Sequence, residues 1–411
     1  MGQALRSLAA LATLTLVGAA ACTGGTIAHG GGGDGGGPAD GGAGDGGGQT
    51  DGSLPDGGTS DGGGQAEGGG GGDDAGQTDG GAGGDGAAGD DAGGGDDAGQ
   101  TDGGGTTGFY GGVNLSVAEF GAGNIPGTYG TDYIYPDSGE VDYYVGKGMT
   151  IIRLPFLWER LQRTLGGSLD ATEQGRLDGF VTYATGKGAR VILDPHNYAR
   201  YNGQVIGGGV SSAQFADLWA KLAQRYGPNA LVVFGLMNEP HDLDLDAWLA
   251  AANAAIQAIR DAGATNLILV PGSSWTGAHS WVSSGNGTTM LGIVDPGNNY
   301  AFEVHQYLDS DSSGTSETCV STTIGAERLQ AFTDWARTHA TRGFLGEFAG
   351  ARNQTCYDAV SGMLDFIDAN RDVWLGWTWW AGGPWWGDYM FTLEPNGGVD
   401  RPQMALLVPH L

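Results

Sequence analysis

Two carboxylates stand where short apolar runs of this sequence end, and they are the residues best placed for chemistry. The run Leu231–Met237 ends in Asn238-Glu239-Pro240, and the run Gly343–Leu345 ends in Gly346-Glu347. Short runs rich in Val, Leu and Phe are typical of strands buried on both faces. In a closed parallel barrel the carboxyl ends of the strands meet at one rim, where catalytic residues collect. A pair of carboxyl groups at that rim is what hydrolysis of a glycosidic bond requires.

Each candidate also has a purely structural explanation. Glu239 precedes Pro240, and a carboxylate there can stabilise the start of a helix through the helix dipole. Glu347 could form a buried salt bridge with Arg153 and take no part in chemistry. Three further candidates could be core residues that only pack: His196, His305 and Tyr307. Position in the sequence leaves these alternatives open.

The two strand ends must be brought together by the elements around them. Eight short apolar runs follow one another along the chain: Tyr110–Leu115, Thr150–Pro155, Arg190–Asp194, Leu231–Met237, Asn266–Val270, Tyr300–Tyr307, Gly343–Glu347 and Val373–Trp380. Helical spacing of apolar residues separates most of them, most clearly in Ala213–Tyr226, Leu245–Ala262 and Ala326–Thr341. This alternation predicts the α/β class and a closed (β/α)8 barrel, the TIM barrel. An open doubly wound sheet is less favoured, because no glycine-rich phosphate turn follows the first strand.

Residues 23–107 are predicted to form a disordered, acidic linker rich in Gly and Asp. They contain 40 glycines among 85 positions, 16 acidic residues and no Lys or Arg. Such a segment cannot bury enough apolar surface to offset the entropy lost on ordering, and its like charges repel. Residues 108–411 are numerous enough for one large core, and we expect them to form the catalytic domain.

Residues 1–22 are typical of an export signal segment. Arg6 supplies a positive charge, and Leu8–Ala21 is apolar but short for a membrane span. The ending Ala19-Ala20-Ala21-Cys22 resembles a bacterial lipobox, in which the cysteine is lipidated; cleavage that leaves a free Cys22 is the alternative. Either way we expect an exported protein, either a cell-surface lipoprotein or a secreted enzyme.

Charge and cysteine content limit the classes of partner and cofactor that the protein could bind. The formal net charge is −29, and neither the linker nor the remainder is basic, which argues against nucleic acid. The sequence has three cysteines, and in an exported protein the pair Cys319 and Cys356 favours a disulfide over a metal site. We expect neither a metal nor an organic cofactor. Nothing in the sequence argues against a monomer.

Seven segments carry a family resemblance. They are, in chain order, Gly112–Leu115 with Ala118–Phe120, Arg153–Phe156, His196–Gly203, Gly235–Asp242, His305–Asp311, Gly346-Glu347 and Trp380–Tyr389. From about Phe109 onward the chain resembles the endoglucanases of glycoside hydrolase family 5, and among them those of subfamily 5. The resemblance implies a TIM barrel, a retaining mechanism and a β-1,4-glucan substrate.

The resemblance also implies a role for each matching residue. Glu239 is expected to be the general acid/base and Glu347 the nucleophile. Arg153 is expected beside Glu347, where its positive charge favours the ionised carboxylate. Tyr307 is expected to hydrogen-bond the same carboxylate. His305 is expected beside Glu239, where it helps to set the protonation of that group.

Other matching residues are expected to bind substrate. Asn238 is expected to contact the 2-hydroxyl of the sugar being cleaved, and His196 the same sugar. Trp380 is expected to form the floor of this subsite, whereas Trp379, its neighbour on the strand, faces the helices. Aromatic loop residues suit a glycan cleft, because sugar rings stack on aromatic faces. The remaining binding candidates are Asn197, Tyr198, Trp275 and Trp385.

The resemblance further implies a disulfide between the loop after the sixth strand and the region after the seventh, the places of Cys319 and Cys356.

Taken together, the residues and the resemblance predict a retaining endo-β-1,4-glucanase. The alternatives are an endo-acting hydrolase of mannan, xyloglucan or mixed-linkage glucan, and a non-catalytic glycan-binding surface lipoprotein. Transglycosylation through the same covalent intermediate is a further alternative.

Overall fold

The computed structural model describes residues 108–411. The expected signal segment with Cys22 and the expected linker over residues 23–107 lie outside this range. The strands within it are β1 (Tyr110–Leu115), β2 (Ile151–Phe156), β3 (Arg190–Pro195), β4 (Arg200–Tyr201), β5 (Gln204–Val205), β6 (Val232–Gly235), β7 (Ile268–Pro271), β8 (Tyr300–Gln306), β9 (Gly343–Phe348) and β10 (Trp374–Gly382).

Eight of these strands close into a parallel barrel. They pair in the order β1–β2–β3–β6–β7–β8–β9–β10, and β10 pairs back onto β1, with Gly376 opposite Tyr110. Closure confirms the predicted TIM barrel over the doubly wound sheet, since an open sheet has two unpaired edges. Strands β4 and β5 form a small antiparallel hairpin in the loop after β3.

The predicted strands match the barrel strands to within two residues at each end, and the difference at β6 matters most for the site. The apolar run Leu231–Met237 is longer than the paired strand Val232–Gly235. Beyond Gly235 single backbone bonds continue, from Leu236 to a carbonyl of β7 and from Asn238 to one of β3. The chain therefore leaves the regular ladder before it reaches the first candidate carboxylate.

The barrel interior is apolar at one end and polar near the carboxyl rim. Its apolar part is one buried cluster: Tyr110, Ile151, Ile192, Val233, Leu267, Leu269, Ala301, Phe344 and Leu375. Side chains two residues apart on a strand share a face. The same inward faces therefore continue in buried polar residues, which we call the polar layer: Asn114, Arg153, Asp194 and Glu303.

Helices cover the outside of the barrel. The α-helices are α1 (Ser138–Gly146), α2 (Trp158–Leu161), α3 (Ala171–Gly186), α4 (Ser212–Tyr226), α5 (Leu245–Asp261), α6 (Asn286–Thr289), α7 (Ile324–Thr338), α8 (Gln354–Ala369) and α9 (Met404–Leu407). Single 3-10 turns occupy Ser274–Thr276, Met290–Gly292 and Val408–His410.

The start of α4 shows how the sequence places these helices. Ser211 accepts a hydrogen bond from the backbone of Gln214, whose side chain bonds back to Ser211, forming a capping box. Phe215, Leu218 and Leu222 then follow at helical spacing and are buried against the barrel. None of the helices in residues 108–411 is long and apolar enough to cross a bilayer.

A disulfide joins Cys319, in the loop after β8, to Cys356, in the first turn of α8. The two Cα atoms are 5.3 Å apart, within the normal range for a bridged pair. The predicted bridge is therefore confirmed, and it fastens the loop that follows β8 to the helix that follows β9.

Candidate active site

Glu239 lies at the rim just beyond β6, where the chain turns sharply. Its φ of 38° is in the left-handed region that non-glycine residues seldom adopt, and Pro240 follows. Its Oε1 lies 2.8 Å from Nδ1 of His305 on β8, and its side chain remains 16% exposed. The turn thus directs this carboxyl group toward a strand two places away while leaving it accessible.

Glu347 lies within β9 and reaches the same space because of a bulge. The pairing of β8 with β9 shifts between Val304 and His305, so that Gly346 is an extra residue and His305 lies opposite Glu347. Oε1 of Glu347 accepts a hydrogen bond from Nη1 of Arg153 at 2.9 Å, and Oε2 accepts one from the Tyr307 hydroxyl at 2.7 Å. Both donors lie where the sequence predicted them.

The two carboxyl groups are close enough to act on one bond. An oxygen of Glu239, an oxygen of Glu347 and a nitrogen of His305 all lie within 4.8 Å of one another. Carboxyl groups of retaining glycosidases are about 5–5.5 Å apart, and those of inverting enzymes about 6.5–9.5 Å. The observed spacing fits direct attack by one carboxylate and is too short for an inverting water.

Within residues 108–411 these three groups form the one set whose ligand atoms are close enough to hold a metal ion. Both oxygens of Glu347 already accept hydrogen bonds, and the Arg153 guanidinium places a positive charge against one of them. A metal would compete with Arg153 for the same oxygen. The set is therefore better suited to proton transfer and nucleophilic attack than to metal binding.

Arg153 links the polar layer to the carboxyl pair. It is fully buried and also donates to Oδ1 of Asn114 at 3.0 Å and to Oδ1 of Asn238 at 2.8 Å. Two more carboxylates lie near its guanidinium, Asp194 at 3.2 Å and Glu303 at 3.0 Å. The Nε–H makes no well-directed hydrogen bond, so the Glu303 contact is charge attraction. Burial opposes the charge, but these carboxylates raise the pKa of Arg153 and keep it cationic.

The nucleophile candidate is protonated more easily than an ordinary glutamate. Burial raises the pKa of Glu347, and the neighbouring Glu239 raises it further, whereas His305 and Arg153 lower it. Arg153 therefore acts in the expected direction but does not outweigh burial. Each donor to this carboxylate consequently matters for keeping it ionised at the pH of catalysis.

His305 lies between three carboxylates. Its Nδ1 is 2.8 Å from Glu239 and 3.6 Å from Glu347, and its Nε2 is 3.3 Å from Glu303. Burial lowers the pKa of His305, but Glu347, Glu239 and Glu303 raise it to about 10. The ring is therefore an imidazolium at neutral pH, and both of its nitrogens donate a proton.

His196 and Trp380 lie side by side at the rim. Their rings are stacked, with centroids 5.5 Å apart, and Nδ1 of His196 lies 2.8 Å from Asp194. Burial lowers the pKa of His196, but the carboxylate of Asp194 raises it by more, so the pKa lies above its usual value. Trp380 is partly exposed, whereas Trp379 is buried and donates its indole N–H to the carbonyl of Phe391. Trp380 thus faces the site, and Trp379 packs in the outer layer.

The two candidate amides differ in what they have left to offer a ligand. Asn238 accepts from Arg153 through Oδ1, while its buried Nδ2 has no hydrogen-bond partner among residues 108–411. Asn197 is engaged on both sides, accepting from the backbone N–H of Trp158 at 2.8 Å and donating to Glu159 at 2.5 Å. This geometry leaves Asn238 a donor for a substrate hydroxyl and favours loop support for Asn197.

A row of rings crosses the rim through His196 and Trp380. Consecutive ring centroids are 4.4–5.8 Å apart, and its members in order are Trp275, His241, Tyr198, His196, Trp380 and Trp386. We call this set the aromatic row. Trp385 stands beyond it, 38% exposed and 6.5 Å from the ring of Phe120. The predicted binding residues Tyr198, Trp275 and Trp380 are thus neighbours in one continuous surface.

The sequence reasoning missed Asp194 and Glu303, the two carboxylates of the polar layer. Asp194 and Glu303 each stand two positions after an apolar inward residue, Ile192 and Ala301. A carboxylate at such a position in a buried strand was the signal that could have identified them, because a buried charge must be paired. His241 was missed as well, since a single loop histidine carries no such pattern.

Comparison with known proteins places this site in a family. A family model described as "Cellulase (glycosyl hydrolase family 5)" matches residues 113–383. Endo-beta-1,4-glucanase B of Aspergillus niger is 49% identical over 289 residues, which is 70% of this chain and 86% of the relative.

Two solved structures extend this comparison to the fold. An endo-beta-1,4-glucanase of Xanthomonas axonopodis pv. citri has a TM-score of 0.72 and 50% identity, and the match covers 74% of this chain and 98% of that one. XacCel5A in complex with cellopentaose has a TM-score of 0.73 and 50% identity, over 74% and 99% of the two chains.

Proposed function

The chain belongs to the cellulase family of glycosyl hydrolases, family 5, and from this we propose that it is a retaining endo-β-1,4-glucanase. The observation that carries the mechanism is the approach of the Glu239, Glu347 and His305 atoms to within 4.8 Å. We assign Glu239 as the general acid/base, because it is the more accessible carboxyl. We assign Glu347 as the nucleophile, because donors hold both of its oxygens.

In the first step Glu239 protonates the glycosidic oxygen while the Glu347 carboxylate attacks the anomeric carbon from the opposite face. The carbon–oxygen bond breaks, the departing chain leaves with the proton, and a glycosyl ester forms on Glu347. Arg153 and Tyr307 hold the attacking carboxylate in one orientation, so little freedom is lost when the transition state forms.

In the second step Glu239, now ionised, takes a proton from a water molecule whose oxygen attacks the anomeric carbon. The ester bond breaks, and Glu347 leaves as a carboxylate that Arg153 and Tyr307 stabilise as its charge develops. Two inversions restore the original anomeric configuration. One water is consumed in each turnover, and both carboxyl groups return to their starting state.

The sugar being cleaved is held, on this proposal, by Asn238, His196 and Trp380. The unpartnered Nδ2 of Asn238 lies next to Arg153 and offers a hydrogen bond to the 2-hydroxyl, which strengthens in the transition state. Trp380, stacked against His196, offers a partly exposed ring on which a sugar face can pack.

Endo action is supported by the length of the aromatic row. Beyond His196 and Trp380 it continues to Trp275 at one end and to Trp386 at the other, so aromatic rings on both sides of this pair are available for sugars to pack against. A β-1,4-glucan presents such a series of flat, equatorially substituted rings. The complex of the similar XacCel5A with cellopentaose supports the same substrate class.

We also infer that the protein is exported. The signal-like segment 1–22 and the disulfide between Cys319 and Cys356 support export, because disulfides persist in oxidising compartments. We propose further that Cys22 carries a lipid and that residues 23–107 act as a spacer. Fractionation is the test: Cys22→Ala should move the enzyme from membranes to the soluble fraction, and an unchanged distribution would refute the tether.

The function is tested by viscosity loss and reducing-end release on carboxymethyl cellulose, beside mannan, xyloglucan and mixed-linkage glucan. We expect rapid viscosity loss on the cellulose derivative. Glu239→Gln and Glu347→Gln should each lower turnover by about 10³-fold or more with the fold intact, since each removes a group that takes part in bond cleavage. Activity on another glycan alone would change the substrate, and near-full activity of either variant would remove that residue from its role.

A further inference from the structure

Glu303 is a buried carboxylate that no step of the proposed reaction uses. It lies on β8 in the polar layer and is 1% exposed. An unpaired buried charge is strongly destabilising, so we expect Glu303 to be paired with groups of opposite charge. Its partners are two residues that contact the catalytic carboxyls, Arg153 at 3.0 Å and His305 at 3.3 Å.

Strand β9 leaves room for this carboxylate. A Cβ atom added to Gly346 would lie 2.3 Å from Oε1 of Glu303 and 2.9 Å from its carboxyl carbon. A side chain at Gly346 would therefore displace the carboxylate.

We propose that Glu303 is a positioning residue that fixes His305 as a proton donor toward Glu239. Its oxygen faces Nε2 of His305, and the opposite nitrogen, Nδ1, faces Oε1 of Glu239. While Glu303 holds one side of the ring, both nitrogens carry protons and Oε1 of Glu239 must accept. The transferable proton of Glu239 then resides on Oε2, the oxygen left free for the glycosidic bond.

Without the carboxylate of Glu303 the opposite arrangement becomes available. A neutral His305 protonated at Nε2 presents a lone pair at Nδ1, which can accept a proton from Oε1 of Glu239. The acid proton is then on the oxygen that faces His305 and away from the substrate. Glu303 thus acts on Glu239 through His305. It also contacts Arg153, which donates a hydrogen bond to Glu347.

Charges from every element around His305 enter this balance. They are Glu239 after β6, Glu303 on β8, Glu347 on β9, Arg153 on β2, and Asp194 and His196 at the end of β3. Burial lowers the pKa of His305, and the carboxylates raise it to about 10. Burial also acts against the Glu303 charge, but Arg153 and His305 keep the pKa of Glu303 below its usual value. Glu303 therefore stays ionised where the enzyme works.

The test uses the full chain with ¹⁵N-labelled histidine and NMR of the imidazole nitrogens, assigned with His305→Asn. In the wild type we expect His305 to remain doubly protonated from pH 5 to 9. In Glu303→Gln, which keeps the volume and removes the charge, His305 should titrate within that range. Turnover should fall about 10- to 100-fold, a part of what general acid catalysis contributes, and the alkaline limb of the kcat profile should move to lower pH.

A matched control is Glu173→Gln. Glu173 is also fully buried and is bonded by Tyr133 and Arg176, but it lies on α3, away from the carboxyl pair. This variant should lose stability while keeping the wild-type kcat profile. Glu303→Asp, which retains the charge, should keep His305 cationic and recover part of the turnover.

Several results would overturn the proposal. A wild-type His305 that is neutral at pH 8 would do so without any variant, even if Glu303→Gln does not fold. So would a Glu303→Gln enzyme with reduced turnover but unchanged His305 signals and kcat profile, since that describes a structural role. The inference rests on the proposed hydrolysis, but the NMR readout is separate: a wild type that is inactive on all glycans would refute the function and leave the His305 measurement valid.

Discussion

The hydroxyl of Tyr307 provides a direct measure of how this protein keeps its nucleophile ionised. It donates to Oε2 of Glu347 at 2.7 Å in a buried setting. A hydrogen bond to a charged group contributes roughly 1.5–3 kcal/mol, and 1.36 kcal/mol corresponds to one pKa unit. Tyr307→Phe should therefore raise the pKa of Glu347 by about 1–2 units beyond the increase that burial already causes.

The sign of the effect follows from the form of Glu347 that reacts. Only the ionised carboxylate attacks, so activity falls as the pH drops through its pKa. Removing a donor that favours the ionised form lets the proton bind at higher pH. The acid limb of kcat/KM against pH, which reports the free enzyme, should move upward by about 1–2 units on a soluble chromogenic cello-oligosaccharide.

Tyr226→Phe is the matched control for this experiment. The Tyr226 hydroxyl is likewise largely buried and donates to Asp178 at 2.8 Å. Tyr226, however, lies on α4 in the outer helical layer and has no contact with the carboxyl pair. This variant should leave the acid limb in place. An acid limb of Tyr307→Phe that stays fixed or moves to lower pH would show that Tyr307 does not stabilise the ionised nucleophile, and the role assigned to its hydroxyl would be wrong.

Three further predictions separate substrate contacts from structural ones. Trp379→Ala should lower the free energy of unfolding by about 3–5 kcal/mol, because Trp379 is fully buried. Trp380 is partly exposed, so Trp380→Ala should mainly reduce kcat/KM. Equal denaturation midpoints for the two variants would contradict the assignment of Trp379 to the core and Trp380 to the site. Replacing Cys319 and Cys356 by Ser should lower the free energy of unfolding by roughly 3–4 kcal/mol, the chain-entropy value for 37 residues, in urea titrations of the two forms. Asn238→Ala should lower kcat/KM about tenfold or more on glucosides and less on the 2-deoxy analogue, and equal losses would argue against the 2-hydroxyl contact.

The strands and their order were predictable because each barrel strand is buried on both faces. A run such as Thr150–Pro155 or Arg190–Asp194 has few polar interruptions, and turn residues border it, so its limits could be placed within a few residues. The end of β6 was less predictable. The apolar run continues to Met237, but the regular ladder ends at Gly235, and apolar character does not reveal where pairing stops.

The site was predictable as a set of residues and less so as a set of roles. The motif His196–Gly203 brought Asn197 forward as a binding residue, yet its amide is occupied by Trp158 and Glu159. Such a motif contains residues that contact a ligand and residues that fix the loop conformation, because ligand binding depends on both kinds. Only the hydrogen-bond partners, which come from a distant helix, tell them apart.

Glu303 in the polar layer was missed for a different reason. Glu303 stands in the run Tyr300–Tyr307, where a single carboxylate could face either side of the sheet. Its partner Arg153, on β2, is brought to it by barrel closure and is far away in sequence. β2 and β8 do not pair and lie opposite each other in the closed barrel, so this contact could not be read from local spacing.

The bulge at Gly346 shows why the catalytic pair needs more than correct residues in the correct strands. With a strict period of two, Phe344 and Gly346 face the interior and Glu347 faces the helices. The extra residue shifts the register of β9 against β8, which turns Glu347 inward to Arg153 and Tyr307. The same glycine leaves space for Glu303. One residue without a side chain therefore allows both the inward nucleophile and the carboxylate beneath it, and any larger residue there would disturb both.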